Sequence, residues 1–288
     1  MSKLLIVADI EDKCAATARG LALATEMDLE PEVVAFTYTD LKRLKVDADT
    51  AANIKKQLLS ERKASLEARV ASIAGDKHGI RIQVVWAEDI HNWIIKRAAK
   101  DCDVVVKSRH KSESLGHTST DWHLLRECSV PVLLVSKKRW KRGSTVMATV
   151  DLGTTTKVKQ KLNRDVVLTA RHYAEILGTD LKVLCVIDVP TVLAELDLID
   201  PRTWAEEQHK ALEPKLVDFA ELTGLPQSAF MFKRGPVGKT IVSEASRLNA
   251  QLVVMGTVGR KGVKAQVLGN TAEAALGLLR TDTLTLKP

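Results

Sequence analysis

The chain has 288 residues, 45% hydrophobic and 27% charged, which excludes a disordered composition and exceeds the roughly 100–200 residues of one domain, so two domains are expected. Lysine and arginine number 43 against 36 acidic residues, a net charge of +7 that favours anionic partners without choosing among them. The apolar run at residues 4–8 is too short for a signal peptide or a membrane span, and Cys14, Cys102, Cys128 and Cys185 form no C-x-x-C pair, so a reducing, cytoplasmic location is expected.

In chain order, Val-, Leu- and Ile-rich runs at 4–9, 33–38, 82–86, 103–107 and 132–136 alternate with segments of helical periodicity. The same alternation returns at 146–151, 182–187, 230–233, 252–256 and 284–287. The register is checkable, because residues 87–103 align with 235–251 at a constant offset of 148. Strands without clean alternation are buried on both faces, so each half predicts a five-stranded parallel sheet flanked by helices and joined by right-handed crossovers. The expected fold is therefore α/β, two tandem doubly wound domains spanning 1–138 and 144–288. The seam between them is the basic run from Lys137 to Arg142, read as a solvated linker or, with Trp140, as a nucleic-acid or acidic-lipid patch.

The second half carries its chemistry after the strand at 252–255. There Gly256-Thr257-Val258-Gly259-Arg260-Lys261 runs on to Leu268-Gly269-Asn270-Thr271 and a helical segment. Glycines let backbone N–H groups approach a phosphate, a helix start offers unpaired amides, and Arg260 adds positive charge. In doubly wound sheets ligands lie beyond the carboxyl ends of the strands where strand order reverses, which sets Asp151, ending the domain's first strand, opposite Gly256, ending its fourth. An alternative account makes Asp151 a helix cap, Val186 and Met255 core residues, and the glycines turns.

The spacing Gly256, two residues, Gly259, nine residues, Gly269 resembles the ATP-binding motif of the universal stress protein family, which has Ser or Thr where this chain has Asn270. The resemblance extends through Gly235-Pro236, Met255, Asp151 and Val186. In the first half, 120–126 (Thr-Asp-Trp-His-Leu-Leu-Arg) is similar to the tandem, E-type members. It implies an adenine nucleotide alpha hydrolase-like fold. It also implies Asp151 and Val186 in an adenine and ribose pocket, Met255 beside it, and Gly256, Gly259, Gly269, Asn270 and Thr271 on the phosphates. Edge pairing of the strands at 131–136 and 283–288 is implied too, as an internal pseudo-dimer that can dimerise further.

At the matching positions the first half has Lys107, Ser108 and Lys111 for Met255, Gly256 and Gly259, with Thr118-Ser119 for Gly269-Asn270. No motif glycine survives, so triphosphate binding of the same kind is not expected there. His110, His117 and His123 raise a metal site, against which stand their spacing and a reading of Asp121 as a helix cap. Gly235-Pro236-Val237-Gly238-Lys239-Thr240 ends like a P-loop but lacks its first glycine, and predicts a turn and helix start. The helix at 203–222, with Glu206, Glu207, His209 and Glu213, predicts a solvated acidic face.

Together these readings lead to a stress-response protein that binds ATP, with Mg²⁺, in its second domain and acts as sensor or adaptor, with at most slow ATPase or autophosphorylation activity. The alternative is a scaffold or carrier whose first domain holds another anionic molecule or lipid precursor through Lys107, Arg109 and Lys111. Nucleic acid ranks below both.

Overall fold

The computed structural model describes residues 2–9, 15–75, 79–109, 119–138, 140–141, 144–257 and 270–288, apart from the side chains of residues 191, 270 and 271. It divides into two compact units, Met1–Lys137 and Lys138–Pro288. Among the described residues no helix is long and apolar enough to cross a membrane.

The first unit contains β1 (Lys3–Val7), α1 (Ala15–Glu26), β2 (Glu30–Thr37), α2 (Ala48–Ala74), β3 (Arg81–Trp86), α3 (Ile90–Asp101), β4 (Cys102–Ser108), α4 (Thr120–Glu127) and β5 (Val132–Val135). Its strands run parallel in the order β3-β2-β1-β4-β5. The central strands β1 and β4 are almost continuously buried, because helices cover both faces and leave no side for alternating polar residues. β2 begins earlier than its apolar run, and its polar start is hidden by an ion pair: buried Glu32 accepts from Arg97 Nε at 2.9 Å. Arg97 and Lys3 also pair with Asp101, and these two contacts hold the Asp101 carboxyl down at about 2. α2 starts on Asp47, whose carboxylate accepts from the Thr50 N–H at 2.8 Å.

The second unit repeats the plan with β6 (Thr145–Val150), α5 (Lys157–Leu177), β7 (Asp180–Ile187), α6 (Thr191–Glu195), α7 (Pro201–Thr223), β8 (Phe230–Arg234), α8 (Val237–Arg247), β9 (Ala250–Gly256), α9 (Asn270–Leu278) and β10 (Asp282–Leu286). Its parallel order is β10-β9-β6-β7-β8. α5 buries Leu162, Val166, Ala170, Tyr173 and Ala174, a stripe at helical spacing, and ends on Gly178 in the left-handed region, φ 58°. Right-handed crossovers put α5 and α7 on one face of the sheet and α8 and α9 on the other, in keeping with the contacts α5 makes with α7 and α8 with α9. The close approach of α8 to α9 depends on Gly238, where a Cβ would stand 2.8 Å from that of Ala274. The P-loop-like stretch thus supplies a helix contact, and Lys239 is exposed. The seam residues fasten onto this unit, with Lys138 Nζ donating to Asn249 Oδ1 at 2.8 Å and the Lys141 N–H to Gln251 Oε1 at 3.2 Å.

Candidate functional site

Strand order in the second unit reverses between β6 and β9, and the crevice beyond their carboxyl ends is a cavity of about 530 Å³. That volume lies within the roughly 300–1,000 Å³ of small-molecule sites. The structure brings Asp151, Val186, Met255 and Gly256 around it. Gly259, Arg260 and Gly269 lie outside the described residues. Asn270 and Thr271 open α9.

Asp151 is fixed from three directions. Its N–H donates to Asn163 Oδ1 at 3.2 Å, its carbonyl accepts from Asn163 Nδ2 at 2.7 Å, and its Oδ1 accepts from the Gly153 N–H at 3.1 Å. A Cβ at Gly153 would stand 3.2 Å from the same oxygen, a close contact that glycine avoids. Asp151 is thus a turn-forming residue and a wall of the cavity at once, with the amide of Asn163 on α5 holding the end of β6. Below it, burial pushes the Cys185 thiol up to about 11, against a hydrogen bond from the Leu152 N–H and with a further upward push from Asp151. Cys185 is a protonated apolar floor at neutral pH, not a nucleophile.

Gly256 has a packing reason to be glycine besides the one expected from phosphate approach. A Cβ there would meet Leu162 Cδ2 at 2.6 Å. Its neighbour Thr257 pins the departing chain to β10, with the N–H donating to the Leu286 carbonyl at 2.8 Å and the hydroxyl to the same oxygen at 3.1 Å.

The cavity is also lined by residues that no motif marks in the sequence, among them Asn163 on α5 and Trp204, Gln208 and Leu212 on α7. The α7 trio recurs every fourth residue but mixes aromatic, polar and apolar side chains, so it shows no hydrophobic stripe. Glu206, Glu207 and Glu213 are exposed as expected. His209 is not part of that face, since its ring packs on Phe232 with centroids 4.4 Å apart.

The matching end of the first unit is differently built. Ser108 closes β4 where Gly256 closes β9, and its Oγ accepts from the Ala16 N–H at 3.1 Å. Lys107 is buried, with Nζ 2.7 Å from Asp121 Oδ1 and donating to the Ser108 carbonyl at 3.0 Å. Arg62 and Arg69 of α2 both donate to the Asp9 carbonyl, at 2.7 and 2.9 Å. Two expectations are corrected here. Asp121 is not the helix cap, a position held by Ser119, but the buried counter-ion of Lys107, because an ammonium brought inside needs a carboxylate beside it. Lys107 accordingly does not present its charge to an outside anion. Lys111, His110 and His117 lie outside the described residues. His123 stacks on His91, centroids 3.9 Å apart, with its Nδ1 3.0 Å from Glu127 Oε1 and the His91 Nδ1 3.1 Å from Asp89 Oδ1. Among the described residues no group of three or more His, Cys, Asp or Glu side chains is arranged to hold a metal ion.

Fold and crevice define a tandem doubly wound α/β protein with a ligand-sized cavity at the strand-order reversal of its second unit. A profile of the universal stress protein family matches residues 161–287. The chain is 30% identical over 267 residues to Universal stress protein E of Escherichia coli K12, covering 88% of this chain and 82% of that protein. It is 25% identical to the Universal stress protein E homolog of Haemophilus influenzae, covering 99% and 96%. The chain belongs to the universal stress protein family, and its likeness to the E-type members takes in both units. Solved structures agree on the fold. A putative universal stress protein from Pseudomonas aeruginosa superposes with a TM-score of 0.72 at 23% identity, covering 100% of this chain and 94% of that one. One from Archaeoglobus fulgidus gives 0.62 at 16%, covering 99% and 96%.

Proposed function

We propose that the second unit binds an adenine nucleotide, ATP with Mg²⁺, and that the chain serves in a stress response as a nucleotide-dependent sensor or adaptor with at most slow turnover. The observation that carries this reading is the cavity of about 530 Å³ at the ends of β6, β7 and β9, with Gly256, the first glycine of the sequence motif, on its wall. Lys159 on its wall adds positive charge for phosphate. The wall carboxylate Asp151, just past β6, the strand between β7 and β9, is a hard oxygen donor of the kind Mg²⁺ takes. The stress role follows from the family and from relatives named for it. Cytoplasmic location and homodimer formation belong to the same proposal.

The test is isothermal titration of the full chain and Gly259→Val with ATP and Mg²⁺. A saturable signal in the wild type that is lost in Gly259→Val supports the reading, and equal affinities sink it.

A further inference from the structure

The cavity has two chemically different ends. At one, Gly256 and Ala272 bring the carboxyl end of β9 and the first turn of α9, where backbone N–H groups suit phosphate. At the other stand Asp188, just past β7, and Trp204 on α7, whose indole N–H donates to the Asp188 carbonyl at 3.3 Å. β6 lies between β7 and β9, so the two ends are two strand spacings apart, about 10 Å. A ligand with its phosphates at the β9 end puts whatever lies at its opposite end beside the indole. Trp204 is half-buried, and the hydrogen bond to Asp188 limits its rotation, so little side-chain freedom remains to be lost on binding.

We propose that Trp204 is the base-stacking residue of this site, and that α7, through Trp204 and its same-face neighbours Gln208 and Leu212, makes the site select ligands carrying a planar heteroaromatic ring over ring-free polyphosphates. The inference rests on the nucleotide reading of the cavity and goes beyond it, since the glycine spacing says nothing of what meets the base. A base presents a π-face to an indole, and such stacking tolerates any purine, so discrimination falls between ring and no ring.

The experiment titrates the full-length wild type, Trp204→Leu and Trp204→Phe with ATP and Mg²⁺, and separately with inorganic tripolyphosphate, by calorimetry and tryptophan fluorescence. ATP should quench wild-type fluorescence, and that quench should be absent from both variants. ATP affinity should fall roughly tenfold in Trp204→Leu and stay within about threefold in Trp204→Phe, the scale of one base–aromatic stack lost or kept. Tripolyphosphate affinity should be the same in all three. ATP binding of equal strength in wild type and Trp204→Leu overturns the stacking role and leaves the nucleotide reading intact. Parallel loss of ATP and tripolyphosphate in Trp204→Leu also overturns it, as does a Phe variant no better than Leu. Failure of the wild type to bind ATP at all overturns both readings together.

Discussion

Gly256→Ala is the sharpest test of how the crevice is built, because a single methyl group meets the side chain of Leu162, which lines the same cavity. The added Cβ would stand 2.6 Å from Leu162 Cδ2 and 2.9 Å from Leu162 Cγ, where carbon atoms settle at about 3.5–4.0 Å. Leu162 is only 3% exposed and lies on the buried stripe of α5, so relief requires moving the helix or turning the side chain out of its packed position into the cavity it lines. Overpacking of this kind costs about 1–3 kcal/mol. For a unit of this size each kcal/mol lowers Tm by about 2–4 °C, so a loss of about 4–8 °C is expected at the middle of that range. Calorimetry of the full chain reads it. A double-mutant cycle identifies the cause, because with Leu162→Ala in place the methyl has nothing to strike. The two effects should then fall short of additivity by about 1–3 kcal/mol. An additive cycle, or a Tm unchanged in Gly256→Ala, would refute the packing argument and return Gly256 to phosphate approach alone.

Two further predictions concern the first unit. Lys107→Met takes from buried Asp121 its partner at 2.7 Å and should cost about 3–5 kcal/mol in urea unfolding. Lys107→Met combined with Asp121→Leu, which copies the methionine of the second unit, should recover most of that loss; a double variant no more stable than the single would contradict the ion-pair account. Hydrogen bonds from Lys3 and then Arg97 hold the Asp101 carboxyl at about 2, below its ordinary 3.8. A depressed carboxyl contributes stability above its unfolded value and loses it as pH falls, so the contribution should fade between about pH 4 and pH 2. Asp101→Asn should flatten that part of the unfolding profile, and an unchanged acid limb would count against the network.

The parallel sheets and the tandem repeat were legible in the sequence because continuous apolar runs bury both faces and because β4 and β9 follow one offset. Boundaries slipped where polar residues sit in strands for reasons outside the strand. β2 begins at Glu30 because Arg97 and Arg81 neutralise Glu32. The crevice was half legible. Asp151 and Gly256 could be paired from topology, but the dependence of Gly256 on Leu162 joins residues far apart in sequence and is written only in the packing. Asp121 read as a cap because a carboxylate near a helix start usually is one; its counter-ion lies on another element. Trp204, Gln208 and Leu212 were passed over because their shared face mixes aromatic, polar and apolar side chains and carries no hydrophobic stripe.

Under the proposed function each chain carries one nucleotide site, in its second unit. Native mass spectrometry of the full chain with ATP and Mg²⁺ measures it directly. One adenine nucleotide per chain is expected, lost in Gly259→Val and kept in Lys107→Met/Asp121→Leu. Two nucleotides per chain, or one that survives Gly259→Val, would contradict it.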